Sequence, residues 1–219
     1  MQSITASKVL VWSRRLRLIH WTIGISSLGL AITGILMASD TIPSDNARDL
    51  HYIFSGIVLP AFLIRIYMFL FGIGTERIND CELDSHRFRQ ALKVLLFYLS
   101  LGKPPLPKWF SHNPLWGPIY LTFFFFLFVS CMSGLFLING NPIVFGVSNY
   151  DLHQISHYAI SIFITLHIPA VFIHDLNSQC CDISGMVSGY KTFSTERPDH
   201  SQASTTKSIS IDELLKSIK

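Results

Sequence analysis

Charge is scarce in this chain of 219 residues: Asp, Glu, Lys and Arg make up only 14% of it, against about 25% in an average soluble domain. Hydrophobic residues reach 49% and the mean hydropathy is +0.40, so an ordinary water-soluble domain is excluded before any segment is drawn. The four cysteines, Cys81, Cys131, Cys180 and Cys181, form no CxxC pair and no CxxCH motif, so no covalent attachment of a cofactor through cysteine is indicated. Cys180 and Cys181 are adjacent and read as inert thiols on a reducing side. HExxH is absent, which removes a zinc peptidase. No carboxylate falls inside the long apolar runs, which argues against a proton- or cation-carrying transporter. No small-residue cleavage site follows the first of those runs, so it reads as a span and not as a removable signal peptide.

Four apolar runs are present, at 18–38, 51–72, 115–138 and 153–174. Each has the roughly 20 residues that cross a hydrocarbon core of about 30 Å at 1.5 Å per residue. No strand-like alternation marks a barrel, so helices, which satisfy their own backbone, are the expected solution. The fold class is therefore an all-α integral membrane protein, a bundle of four transmembrane helices. Lys8, Arg14, Arg15 and Arg17 precede the first run; Arg77, Arg87, Arg89, Lys93, Lys103 and Lys108 lie between the second and third; Lys191, Arg197, Lys207, Lys216 and Lys219 follow the fourth. The other two loops are poor in such residues, with only Arg48 against Asp40, Asp45 and Asp49 in one and no Lys or Arg in the other. This asymmetry predicts that both termini and the long central loop are cytoplasmic. Residues 86–101 alternate basic and apolar positions, with Phe88, Leu92, Leu95 and Leu96 able to share a helix face. They fit an interfacial helix in the cytoplasmic loop or an extension of a spanning helix. Two regions are expected, a helical membrane domain over 1–193 and a polar, mobile cytoplasmic tail over 194–219.

Nine histidines are the unusual count. His153 and His167 lie fourteen residues apart in one run, which on a helix places them within roughly 40° of one face and about 21 Å apart along the axis. The predicted orientation puts His20 near the cytoplasmic side and His51 near the outer side, so depth pairs His51 with His153 and His20 with His167. Polar groups inside spans are costly and mark function. Four imidazoles in two depth-matched pairs are the ligand set for two haems b stacked across a membrane, where paired axial imidazoles suit electron transfer. Gly24, Gly29, Gly34, Gly56 and Gly134 are candidates for close approach of a flat ring, or for plain helix packing. His157 faces much as His153 does and is a substitute ligand on direction but not on depth. His174 sits beside Asp175 at the cytoplasmic boundary, while His86, His112 and His200 fall in loops and read as solvated.

The residues Arg17-Leu-Ile-His20-Trp21, Thr33-Gly34, Leu50-His51 with Gly56, Arg65-Ile-Tyr67 with Gly72, His112-Asn113-Pro114, Ser133-Gly134, the His153/His167 spacing and Met186-Val-Ser-Gly-Tyr190-Lys191 resemble the b-type cytochrome subunit of membrane-bound nickel–iron hydrogenases, in the bacterial cytochrome b561 group. The resemblance covers about 11–193. It implies a four- or five-helix bundle in the inner membrane with two non-covalent haems b, ligated by His20, His51, His153 and His167. It implies a periplasmic hydrogenase whose iron–sulfur small subunit donates electrons, and a membrane quinone that accepts them. Such a chain is an electron-transfer subunit of an oxidoreductase complex and not a catalyst alone. Arg17, Arg65, His112 and Asn113 are the candidates, on depth, for donors to the quinone carbonyls. The same haem framework serves a formate dehydrogenase, a thiosulfate reductase or a soluble cytochrome c equally well. A haem-free transporter or scaffold is the rival from another class. Nucleic acid is not among the expected partners.

Overall fold

The computed structural model describes residues 4–39, 44–77, 85–100, 115–177 and 182–196. It is mostly helical, with strand β1 (Ile4–Leu10), helices α1 (Arg14–Ser39), α2 (Ser44–Phe71), α3 (Ser85–Leu99) and α4 (Trp116–Ile138), strands β2 (Ile143–Val144) and β3 (Val147–Ser148), helices α5 (Asn149–Asn177) and α6 (Asp182–Ser188), and strand β4 (Tyr190–Glu196). Helices α1, α2, α4 and α5 are long and apolar enough to cross a membrane, and each overlaps one of the four runs. The protein is an integral membrane protein. Its apolar side chains point outward as readily as inward: Leu18, Ile25, Ile32, Leu63 and Phe71 are all exposed, as befits helices whose solvent is lipid and whose polar backbone is closed within each helix.

Local signals set the helix starts. Ser13 accepts the Leu16 N–H at 3.1 Å, and Ser148 accepts the Asp151 N–H at 3.2 Å, so a serine oxygen takes an otherwise unpaired donor at the head of α1 and of α5. Asp151 adds a carboxylate to the first turn of α5, the favourable end of its dipole. Helix α1 packs on α2, α4 on α5, and α5 also touches α1. Between them lies a core of Val11, Trp12, Leu16, Ile19, Ile23, Val58, Ala61, Phe62, Met68, Leu127 and Ile160.

One feature has no counterpart in the sequence reading. Strands β1 and β4 pair antiparallel, from Ile4 opposite Glu196 to Leu10 opposite Tyr190, so residues 194–196 of the expected tail are strand. Gly189 joins α6 to β4 at φ +92°, a left-handed conformation natural only to glycine. Its carbonyl accepts the Val11 and Trp12 N–H groups at 2.9 and 3.0 Å. The Trp21 indole N–H donates to the Met186 carbonyl at 3.0 Å. The chain's two flanks are thus fastened at one end of the bundle, the sheet end, as four antiparallel spans require. The opposite, hairpin end carries β2 and β3, paired Ile143 with Ser148 and Val144 with Val147.

Helix α3 shows two faces. Ala91, Val94 and Phe97 are buried, whereas Phe88, Leu92, Leu95, Leu96 and Leu99 are exposed. The exposed row contains the four residues that the sequence pattern puts on one face.

Candidate functional site

Helix α5 runs unbroken through both His153 and His167, so the two imidazoles project from one helix roughly 21 Å apart along its axis. At the sheet end His167 meets His20 of α1, with ring centroids 6.4 Å apart and planes at 64°. At the hairpin end His153 meets His51 of α2, with centroids 6.1 Å apart and planes at 66°. The depth-based pairing is thus the pairing of side chains in space.

The spacing is informative about what fits between the rings. Two imidazoles that each bond one metal at about 2 Å have centroids no more than roughly 6.3 Å apart, and both pairs, at 6.1 and 6.4 Å, lie at about that reach. Among the described residues no group of three or more His, Cys, Asp or Glu could hold a metal ion. The histidines therefore offer two ligands per level, which suits a metal whose other positions are filled by a macrocycle better than a bare zinc, which takes three or four protein ligands. The residues present fit haem.

Hydrogen bonds orient the hairpin-end pair. His51 Nδ1 lies 2.9 Å from Thr33 Oγ1 of α1. His153 Nδ1 lies 3.1 Å from Ser133 Oγ and 3.1 Å from the Ser130 carbonyl of α4. Small residues make room beside the rings: a Cβ on Gly134 would stand 3.2 Å from His153 Cε1, and one on Gly34 would stand 3.0 Å from His157 Cε1. A Cβ on Gly29 would stand 2.6 Å from the Phe54 ring, whereas at Gly24 and Gly56 it would meet nothing within 4 Å. So Gly29, Gly34 and Gly134 are points of close approach, and Gly24 and Gly56 face open space. Aromatic rings flank the sheet-end pair. Phe163 stacks on His167 with centroids 5.3 Å apart and planes 12° from parallel, and Trp21 stands edge-on to His20 at 5.6 Å. His157 is half-buried on α5, and neither of the two histidine pairs includes it.

Beyond the sheet-end pair lies a buried polar knot. Arg65, which is buried, donates to the Glu76 carbonyl at 3.0 Å and lies over the Tyr120 and Phe69 rings at 5.2 and 5.8 Å. The buried Glu76 carboxylate accepts the Ser13 hydroxyl and sits 3.4 Å from the exposed Arg15 guanidinium. Arg17 donates to the Val187 carbonyl. Of the four residues read as quinone donors, Arg65 and Arg17 are thus engaged with the fold, while His112 and Asn113 lie outside the described residues, as does the side chain of His174.

Sequence reasoning missed Thr33, Ser133 and Glu76 as contributors. A signal for the first two exists, a hydroxyl residue followed by glycine, Thr33-Gly34 and Ser133-Gly134, once on α1 and once on α4. Glu76 looks like any loop carboxylate in the sequence and gives no such sign.

Residues 11–189 match the prokaryotic cytochrome b561 family. A "probable Ni/Fe-hydrogenase B-type cytochrome subunit" of Azotobacter vinelandii is 27% identical over 223 residues, covering 87% of this chain and 91% of the relative. A protein with the same description in Rhizobium leguminosarum bv. viciae is 27% identical, covering 88% and 92%, and one in Rhodobacter capsulatus is 24% identical, covering 87% and 84%. No solved structure gives a significant match. With four apolar helices, two facing histidine pairs and a family match over most of its length, the chain belongs to the prokaryotic cytochrome b561 family.

Proposed function

We propose that this chain is a di-haem b electron-transfer subunit and membrane anchor that carries electrons from a periplasmic nickel–iron hydrogenase to membrane quinone. The observation that carries the proposal is the pair of imidazole pairs, at 6.1 and 6.4 Å, on two levels of one bundle. His51 and His153 would hold one haem, and His20 and His167 the other. When bound, haem supplies a one-electron couple that changes little in geometry between its two states. The chain's own residues hold the ligands, keep water out and separate the two levels by about 21 Å of helix.

The loop charges support placing the sheet end in the cytoplasm and the hairpin end outside, in a bacterial inner membrane. On that orientation the His51/His153 level is the electron entry, and the iron–sulfur small subunit of the hydrogenase docks over the hairpin end. The relatives' descriptions support a hydrogenase as partner. The His20/His167 level is the exit to quinone, with Arg17, Arg65, His112 and Asn113 as candidate donors. Arg65 offers N–H groups beyond the one on Glu76. The exposed apolar row of α3 suits the cytoplasmic leaflet surface. The di-haem unit occupies 1–193, and the polar tail of 194–219, whose residues 194–196 complete β4, would lie in the cytoplasm. Protons taken by quinone on the cytoplasmic side, with hydrogen oxidised outside, would build a proton gradient.

The test is a reduced-minus-oxidised spectrum of the purified protein with pyridine haemochrome quantification. Two haems b per chain are expected; a folded, haem-free protein would sink the proposal. Proteoliposomes with the hydrogenase and quinone should develop a hydrogen-dependent potential, and their failure to do so would remove the proposed sidedness.

A further inference from the structure

We propose, on the di-haem assignment above, that Thr33 and Ser133 are positioning residues which fix the tautomer of His51 and His153 and lower the potential of the haem those rings hold. The assignment of protons follows from the partners of each hydroxyl. Thr33 Oγ1 lies 2.8 Å from the Gly29 carbonyl and 3.2 Å from the Leu30 carbonyl. A hydroxyl has one proton, and carbonyls only accept, so the proton goes to the helix backbone. Only lone pairs then face His51 Nδ1 at 2.9 Å, and Nδ1 must carry the hydrogen.

Ser133 repeats the arrangement. Its Oγ donates to the Val129 carbonyl at 2.7 Å, with the Ser130 carbonyl at 3.2 Å. His153 Nδ1 faces that oxygen at 3.1 Å and, independently, the Ser130 carbonyl at 3.1 Å. A carbonyl admits a donor only, so this Nδ1 is also N–H. A neutral imidazole protonated at Nδ1 keeps its lone pair on Nε2, the nitrogen then left for iron. Both hydroxyls are buried and back-bonded within their own helices, so water does not replace them. Neither Thr33 nor Ser133 lies on a helix that carries this pair: α1 steadies the ligand of α2, and α4 steadies the ligand of α5. Gly134, next to Ser133, leaves room for the ring, because a Cβ there would stand 3.2 Å from His153 Cε1.

An acceptor on the far nitrogen makes a ligating histidine more basic. A more basic axial ligand favours the oxidised iron, and second-shell hydrogen bonding is one of the protein's levers on haem potential. The two rings are not equally protected. His153 retains the Ser130 carbonyl if Ser133 loses its hydroxyl, whereas Thr33 is the polar partner found for His51 Nδ1.

The experiment is a spectroelectrochemical titration of the purified, haem-loaded protein, with His51→Ala and His167→Ala used to assign the two components. Thr33→Val removes the acceptor at nearly constant shape, and Thr33→Ser restores it. In Thr33→Val both haems should remain. The component lost in His51→Ala should move to higher potential, by up to a tenfold change in its oxidised-to-reduced ratio at fixed applied potential, about 59 mV for one electron. Ser133→Ala should move the same component in the same direction by less, Thr33→Ser should return to the parent value, and the other component should stay in place. An unmoved component in Thr33→Val, or equal shifts in both components, overturns the inference. If Thr33→Val fails to fold, Ser133→Ala decides alone: a selective rise supports the inference and no rise overturns it. Loss of the same component in His51→Ala and His167→Ala overturns the di-haem assignment and this inference together. Unmoved potentials with the haem pairing intact overturn this inference alone.

Discussion

At the hairpin end, His51 and His153 are steadied by hydrogen bonds with the Thr33 and Ser133 hydroxyls and to the Ser130 carbonyl. The loop above them, 139–148, carries no charged residue, and its Phe145 is fully exposed. At the sheet end, His167 lies against Phe163 and His20 against Trp21. The structure beyond them is closed by the β1–β4 pairing and by the knot of Arg65, Glu76, Ser13 and Arg15. The two levels pair the same residue type in different surroundings. Hydrogen bonds to a ligand and the apolar packing around it are separate levers on a haem, so two pairs of one residue type need not be equivalent. The contrast also separates stability from tuning. The sheet end holds the chain's two flanks together, and the hairpin end is the lighter construction.

The largest effect that sharpens this comparison is loss of cofactor by level. His51→Ala and His153→Ala should each halve the haem content and remove the same spectral component, and His20→Ala and His167→Ala should each remove the other. Pyridine haemochrome assays and difference spectra check this, and mixed losses would break the division into levels. Next in size is Glu76→Gln. It leaves the Ser13 hydroxyl and the Arg15 guanidinium without their buried carboxylate, and it should cost about 1–3 kcal/mol in denaturant unfolding in detergent, with the hairpin-end haem spectrum unchanged.

Two of the left-handed glycines, one at each end, test the same division. Gly189→Ala forces an unfavourable φ and puts a Cβ 2.9 Å from the Trp12 carbonyl, so a loss of roughly 1–3 kcal/mol is expected. Gly146→Ala at φ +77° meets open space and should cost only about 1 kcal/mol. Equal losses in thermal unfolding would show that the sheet end is no more closely built than the hairpin end. Smallest is Arg15→Ala. Its side chain is 71% exposed, so solvent screening should hold the change below about 1 kcal/mol, well under that of Glu76→Gln. An equal effect would mean that the ion pair, and not the Ser13 bond, fastens the sheet end.

Much of the site was legible in the sequence, because its main constraint is depth. A helix in lipid must rise 1.5 Å per residue in one direction, so span order and loop charge place every histidine along the membrane normal. That was enough to pair His51 with His153 and His20 with His167. Rotation about the helix axes was less legible. Whether Thr33 or its neighbour faces His51 depends on how α1 lies against α2, and among helices without strong amphipathic faces composition gives little guidance. The β1–β4 pairing was invisible for another reason. Ile4 and Glu196 are 192 residues apart, and two short strands of mixed composition carry no local sign of each other. Depth put Arg17 and Arg65 near the level of His20 and His167, but the sequence could not show that one reaches Val187 and the other Glu76.

The sequence by itself determined the solvent, the number of spans, their predicted direction and the levels of the four histidines. It could do so because hydrophobic length and charge asymmetry act locally and add along the chain. The tertiary structure alone decided which atoms meet: the hydroxyls that lie against Nδ1 of His51 and His153, the ring that stacks on His167, and the glycines that let helices close. Those contacts depend on helix rotation and on neighbours distant in the chain, where a shift of an ångström separates a hydrogen bond from none.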